Sequence, residues 1–219
     1  LVCLDVDGTL VDGFPEGAPY VWRVLHDAHG TPRDRLDRQR KRFFRGECTY
    51  DAWFEHDIAC LRASGATRAS LLGALRTLHP MDGVAELLAA LRARGIRVGI
   101  LSGSIQLVLE AFFPMERFDA VYLNRFAFDA GGALIGGTPT PYDMARKAEG
   151  LRVMAREFGC SPEETAFVGD AGNDVEAASA AGLAIAFNTR DPALMAVADH
   201  VLPAPARDLR AMAPWILGA

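Results

Sequence analysis

The sequence predicts an α/β fold: a Rossmann-like parallel sheet core with an inserted α-helical cap and a small β-hairpin flap. Three observations carry this. From Met81 onward, short apolar runs alternate with segments of helical period, the signature of strands joined by crossover helices. Between Phe14 and Pro80, apolar residues recur at helical spacing instead. Residues 124–141 hold two apolar runs around Asp129-Ala130-Gly131-Gly132, which reads as a hairpin.

Taken in order, Leu1 to Leu4 is a strand ending in Asp5-Val6-Asp7-Gly8-Thr9. Helices are expected at Ala18 to His29, Arg33 to Phe44, Tyr50 to Ala63 and Ala69 to Leu78, punctuated by Gly30, Pro32, Gly46 and Gly65. A helix through Leu91 then leads into a strand, Ile96 to Leu101, that ends at Ser102. Next come a helix from Ile105, a strand near Ala120 to Leu123, the hairpin, and a helix from Lys147 to about Phe158. A strand from Thr165 ends at Asp170, a helix is closed by Gly182, and a strand Ala184 to Phe187 follows. A short helix and a last strand near His200 to Leu202 complete the pattern. The expected organisation is a core of residues 1–13 and 81–219 with a helical cap at 14–80.

Composition narrows the function. A chain of 219 residues that is 50% hydrophobic has ample material for a core. A net charge of −5 disfavours general nucleic-acid binding, which needs clustered positive charge. The segment with Arg33, Arg35, Arg38, Arg40, Lys41, Arg42 and Arg45 is the local exception, read as a solvated helix face or as a surface that steers phosphate-bearing substrates. No apolar stretch is long enough to span a bilayer, and Asp5 and Asp7 interrupt the first apolar run as no secretory signal core would. A soluble cytoplasmic protein, monomeric or homodimeric, is therefore expected. Cys3, Cys48, Cys60 and Cys160 lack metal-site or disulfide spacing and read as reduced thiols.

The chemistry collects at strand ends. Side chains alternate along a strand, so Asp5 and Asp7 should share one side, and Gly8 permits a sharp turn that brings main-chain amides close. An anion and a divalent cation could meet there. Ser102-Gly103 offers a hydroxyl and an amide at a second strand end. Gly169-Asp170-Ala171-Gly172-Asn173-Asp174 places a second acidic cluster at the opening of a helix, and Lys147 stands at the start of another. In open parallel sheets these carboxyl-end loops form the ligand crevice.

Ordered as acid pair, Ser-Gly, Lys and Gly-Asp-x-x-Asn-Asp, these residues resemble the four motifs of the haloacid dehalogenase superfamily, over nearly the whole chain. The branch containing phosphoserine phosphatases is the most similar, because a helical insertion follows the first motif and the lysine motif continues as Ala148-Glu149-Gly150-Leu151. The resemblance implies a Mg²⁺-dependent phosphatase that hydrolyses a small phosphorylated metabolite through an aspartyl-phosphate. Asp5 would be the nucleophile and Asp7 the general acid and base. Asp5, the Asp7 carbonyl and Asp170 would hold the metal, with Asp174 behind them, and Ser102, Gly103, Lys147 and Asn173 would hold the phosphoryl oxygens.

The chain departs from that branch in substrate recognition. Phosphoserine phosphatases have a glutamate shortly after the first motif and an arginine in the cap. The nearest matches here are Phe14, with Glu16 two residues on, and Glu55, followed by His56. These four are the specificity candidates, and an unspecified small phosphomonoester ranks above phosphoserine. A phosphotransferase or mutase of the same fold is an enzymatic alternative; a phospho-aspartate receiver module is the non-enzymatic one. Receivers lack a second acid like Asp7 and any segment like 14–80.

Overall fold

Period-two alternation divides the core strands between two apolar layers, and helices cover both. The computed structural model describes residues 1–114 and 118–218. The first apolar run forms β1 (Val2–Leu4), and the chain leaves the acidic turn through β2 (Val11–Asp12). The helical segment comprises α1 (Val21–Ala28), α2 (Arg33–Phe44), α3 (Tyr50–Ala63) and α4 (Arg68–Leu75), and the chain returns through β3 (His79–Pro80). Then follow α5 (Val84–Ala93), β4 (Val98–Ile105), α6 (Gln106–Phe112), β5 (Ala120–Phe128) and β6 (Leu134–Thr138). The remainder is α7 (Lys147–Glu157), β7 (Ala166–Gly169), α8 (Val175–Ala180), β8 (Leu183–Thr189), α9 (Pro192–Val197), β9 (His200–Pro203) and α10 (Ala213–Leu217).

The main sheet runs β6-β5-β4-β1-β7-β8-β9, parallel except for the antiparallel β5–β6 edge. Strand β1 lies between β4 and β7, so the chain order reverses beside it and leaves a crevice at the strands' carboxyl ends. On one face Val2, Leu4, Ile100, Val168 and Ile185 join the larger core. On the other, Cys3, Leu101, Phe167 and Ala184 pack against Leu151 and Met154 of α7.

The two legs of the helical segment pair with each other, Val11 with Pro80 and Asp12 with His79. The β5–β6 hairpin leans on that segment: the Arg68 amide donates to the Gly132 carbonyl at 2.8 Å, and the Leu134 amide donates to that of Ala66 at 3.0 Å. The flap thus braces the helices rather than standing free. Among the described residues no helix is long and apolar enough to cross a membrane.

Several expected bounds shift, each for a local reason. Helix α1 begins at Val21 rather than Ala18, because the Ala18 amide closes a turn onto Pro15 and Tyr20 is extended. Helix α4 starts at Arg68, one residue earlier than expected, behind a reciprocal cap between Thr67 and Ser70, and stops at Leu75 so that the chain can reach β3. Strand β4 does not end at Ser102 but runs on through Gly103 and Ser104 to Ile105, past an irregularity between Leu101 and Ile105. Strand β5 runs unbroken into the hairpin, and α10 has no counterpart in the sequence expectation.

Candidate active site

The acidic turn after β1, the Ser-Gly-Ser stretch of β4 and the turn after β7 meet at the floor of a cavity of about 810 Å³, whose upper wall comes from α1, α2 and α3. Asp5, Asp7, Ser102, Gly103, Asp170 and Asn173 all line it. Gly8 takes a positive φ of 75°, and a Cβ there would overlap the Asp170 carboxylate, so glycine is what allows the two turns to approach.

Asp5 and Asp7 have different surroundings. Lys147 Nζ donates to Asp5 Oδ1 at 2.6 Å and to Asp174 Oδ1 at 2.5 Å. Asp174 Oδ2 accepts from the amides of Asp170 and Ala171, at 3.0 and 3.1 Å, which shapes the turn after β7. Asp7 instead accepts from the Val21 amide at 2.8 Å through Oδ2 and from Ser104 Oγ at 2.7 Å through Oδ1. Its carboxylate therefore supplies the side-chain cap that Tyr20 does not provide for α1.

Burial dominates the electrostatics. It pushes the Asp5 carboxyl up to about 7, against the opposing pull of Lys147. It pushes Asp7 to about 6, partly offset by the Val21 and Ser104 hydrogen bonds. Burial and the neighbouring Asp174 raise Asp170 well above the usual carboxylate range. For Lys147, burial pulls the ammonium down, but Asp174 and Asp5 outweigh it and keep it charged.

Oxygens of Asp5, Asp170 and Asp174 lie within 4.8 Å of one another. The donor set is all hard oxygen, the chemistry that suits Mg²⁺. The Asp170 carboxylate makes no hydrogen bond among the described residues, and a cation would relieve the crowded negative charge. The residues present fit such an ion.

The other expected site residues distribute differently. Lys147 is fully buried and does not line the cavity: it sits behind Asp5, on the α7 stripe shared with Leu151 and Met154. Its ion pairs in the structure are to the two carboxylates, Asp5 and Asp174, so the expected phosphoryl-binding lysine stands directly against the expected nucleophile. Ser102 Oγ accepts from the Ser104 amide at 3.2 Å, which leaves its own hydrogen available to an anion. Phe14, Glu16, Glu55 and His56 are absent from the cavity lining: Phe14 packs on the core, Glu16 and Glu55 are exposed, and His56 bonds Asp57 at 3.0 Å. The helix phase, which alignment to a motif cannot supply, turns Asp57 rather than Glu55 into the cavity.

Residues not anticipated also reach the site. Ser104 is two positions from Ser102 on one strand, a spacing that could have singled it out. Asp143 is buried against Gly103, with Oδ1 unpartnered. Arg23, His26, Tyr50 and Asp57 form the polar part of the upper wall, interleaved with Trp22, Trp53 and Phe54. Trp22 Nε1 donates to the Gly103 carbonyl at 2.9 Å, a second tie between α1 and the floor.

Residues 1–182 match the model of a hydrolase family described as haloacid dehalogenase-like hydrolase. Phosphoserine phosphatase SerB2 of Mycobacterium tuberculosis is 32% identical over 209 residues, covering 95% of this chain but 48% of that protein, so the chain spans about half of that relative's length. A phosphoglycolate phosphatase of Synechococcus elongatus is 29% identical over 216 residues, 96% of each chain. A substrate-bound phosphoserine phosphatase complex superposes with a TM-score of 0.75 at 24% identity, covering 98% of this chain and 97% of that one, which speaks for the fold.

Proposed function

The chain belongs to the haloacid dehalogenase-like hydrolase family and is an enzyme of its phosphatase branch; on that premise we propose that it hydrolyses a small phosphomonoester through an aspartyl-phosphate on Asp5. The observation that carries this is the division of labour between two carboxylates two residues apart. Asp5 belongs to the acidic cluster, while Asp7 is held aside by Val21 and Ser104.

Asp5 and Asp170, with the main-chain carbonyl of Asp7, would hold Mg²⁺, and Asp174 would fix the turn behind them; the bound ion supplies charge neutralisation for the phosphoryl oxygens. Lys147 occupies Oδ1 of Asp5, which leaves Oδ2 to attack phosphorus. As the P–O bond to the leaving group breaks, Asp7 donates its proton to the departing oxygen. Water then attacks the aspartyl-phosphate, Asp7 takes its proton, and inorganic phosphate leaves with Asp5 restored. Ser102, the Gly103 amide and Asn173 line the side on which the phosphoryl oxygens would lie, and donate to them.

Phosphoserine and phosphoglycolate, named for the two relatives above, are the first candidates. Both are small carboxylic acids. The test is release of inorganic phosphate from a panel containing both, together with 4-nitrophenyl phosphate, in the presence of Mg²⁺. Turnover that Asp5→Asn abolishes is expected. Near-normal turnover by that variant would remove the proposed nucleophile, and transfer to an added hydroxyl acceptor without phosphate release would reassign the protein as a phosphotransferase.

A further inference from the structure

Two buried donors on one face of α1 point to what the leaving group carries. Arg23 and His26 are three residues apart, the spacing that places side chains on a common helix face. Both line the cavity, with 8% and 1% of their surface exposed. Arg23 gives Nη2 to Asp37 at 2.6 Å, while Nη1 is buried without a hydrogen-bond partner among the described residues. His26 Nδ1 lies 3.1 Å from the Thr31 hydroxyl. Burial holds the ring neutral, at about 3; the Asp57 carboxylate on the Nε2 side favours the tautomer in which Nε2 carries the ring proton and Nδ1 accepts from Thr31. Nε2 makes no hydrogen bond among the described residues; the oxygen facing it, Asp57 Oδ2, is 3.9 Å away.

A buried donor left unsatisfied costs about 1–3 kcal/mol, and more when it is charged. Two on one helix face, in the wall of a cavity, therefore mark the place of an acceptor. The helix that carries them is fixed to the reacting end of the cavity by the Val21–Asp7 and Trp22–Gly103 hydrogen bonds. The free Arg23 nitrogen belongs to a guanidinium, whose natural partner is a carboxylate.

We propose that Arg23 Nη1 and His26 Nε2 receive a carboxylate carried by the leaving group, so that the substrate is a phosphomonoester of a small carboxylic acid. This rests on the phosphatase function proposed above. It transfers recognition from the positions matched by Phe14 and Glu55, which do not face the cavity, to the first helix of the cap.

The test pairs ligands that differ only in the carboxylate. In the unaltered enzyme hydrolysing 4-nitrophenyl phosphate, 3-phosphonopropionate should inhibit at least about tenfold more tightly than propylphosphonate. In Arg23→Gln that ratio should collapse towards one, and Arg23→Lys should keep part of it because the cation survives. His26→Gln should reduce it less, since only a neutral donor changes. Equal inhibition by the two phosphonates in the unaltered enzyme, or an unchanged ratio in folded Arg23→Gln, overturns the proposal while leaving the phosphatase function standing. Failure to hydrolyse any ester overturns both.

Discussion

The amide of Val21 donates to Oδ2 of Asp7 at 2.8 Å, so the first helix of the cap is seated on the carboxylate proposed as acid and base. The position of α1 and the geometry of the proposed acid and base are therefore coupled: swinging the helices away would break this bond and the one from Trp22 to Gly103. Trp22→Phe keeps an aromatic ring among Phe54, Phe126 and His26 but removes the donor. Stability should fall by about 1 kcal/mol in urea unfolding. The ratio kcat/KM should fall by roughly three- to tenfold as the cap seats less firmly.

Ser104→Ala removes the donor to Asp7 Oδ1 without entering the acidic cluster. Steady-state kinetics should show kcat lowered by about tenfold with KM within roughly twofold, the pattern of a positioning residue. Ser102→Ala, at the proposed phosphoryl side of the cavity, should raise KM as well.

Lys147→Met leaves Asp5 and Asp174 buried without their shared cation. Breaking a buried ion pair from one side costs about 3–5 kcal/mol, so denaturant titration should show a loss of that order together with loss of turnover. Asp5→Asn, which keeps an oxygen for Lys147, should stay folded.

Chelation should abolish turnover, and Mg²⁺ should stabilise the fold, since an ion held by the native acidic cluster alone stabilises by about 2.7 kcal/mol at a hundred times its dissociation constant. Thermal melts with and without Mg²⁺ measure this. Asp170→Asn should flatten the dependence, because it withdraws a carboxylate of the acidic cluster that makes no hydrogen bond among the described residues.

Acid should unfold the protein partly through His26. Burial holds its folded-state value at about 3, against 6.5 for a free imidazole. Between those values the unfolded chain binds more protons, so the contribution is complete above pH 6.5 and is lost as pH falls towards 3, with a slope of up to about 1.4 kcal/mol per pH unit. Replacing His26 with Gln should shallow the fall in unfolding free energy across this window.

How much of this was readable before the fold was known follows from the range of each interaction. Helix α2 has its expected bounds, Arg33–Phe44, because Pro32 before it and Gly46 after it are local signals. The strand-end motifs were readable for the same reason: Asp5, Ser102 and Asp170 each follow a run of apolar residues whose alternation declares a strand. Lys147 was visible as a residue of interest, but its burial was not, since that depends on α7 laying Leu151 and Met154 against the strands. Residues of the upper wall were harder still. The rotation of α1 that presents Arg23 and His26, and of α3 that presents Asp57 rather than Glu55, is set by how the helices pack on each other and on the flap.

The α/β core, the helical insertion and the order of the polar motifs follow from local sequence, because hydrophobic period and turn chemistry act over a few residues. The folded arrangement alone sets that Asp7 caps α1, that Lys147 is shared by Asp5 and Asp174, and which side chains face the cavity. Those relationships join residues from 14 to 142 positions apart. Their geometry exists only once the sheet order and the helix rotations are set.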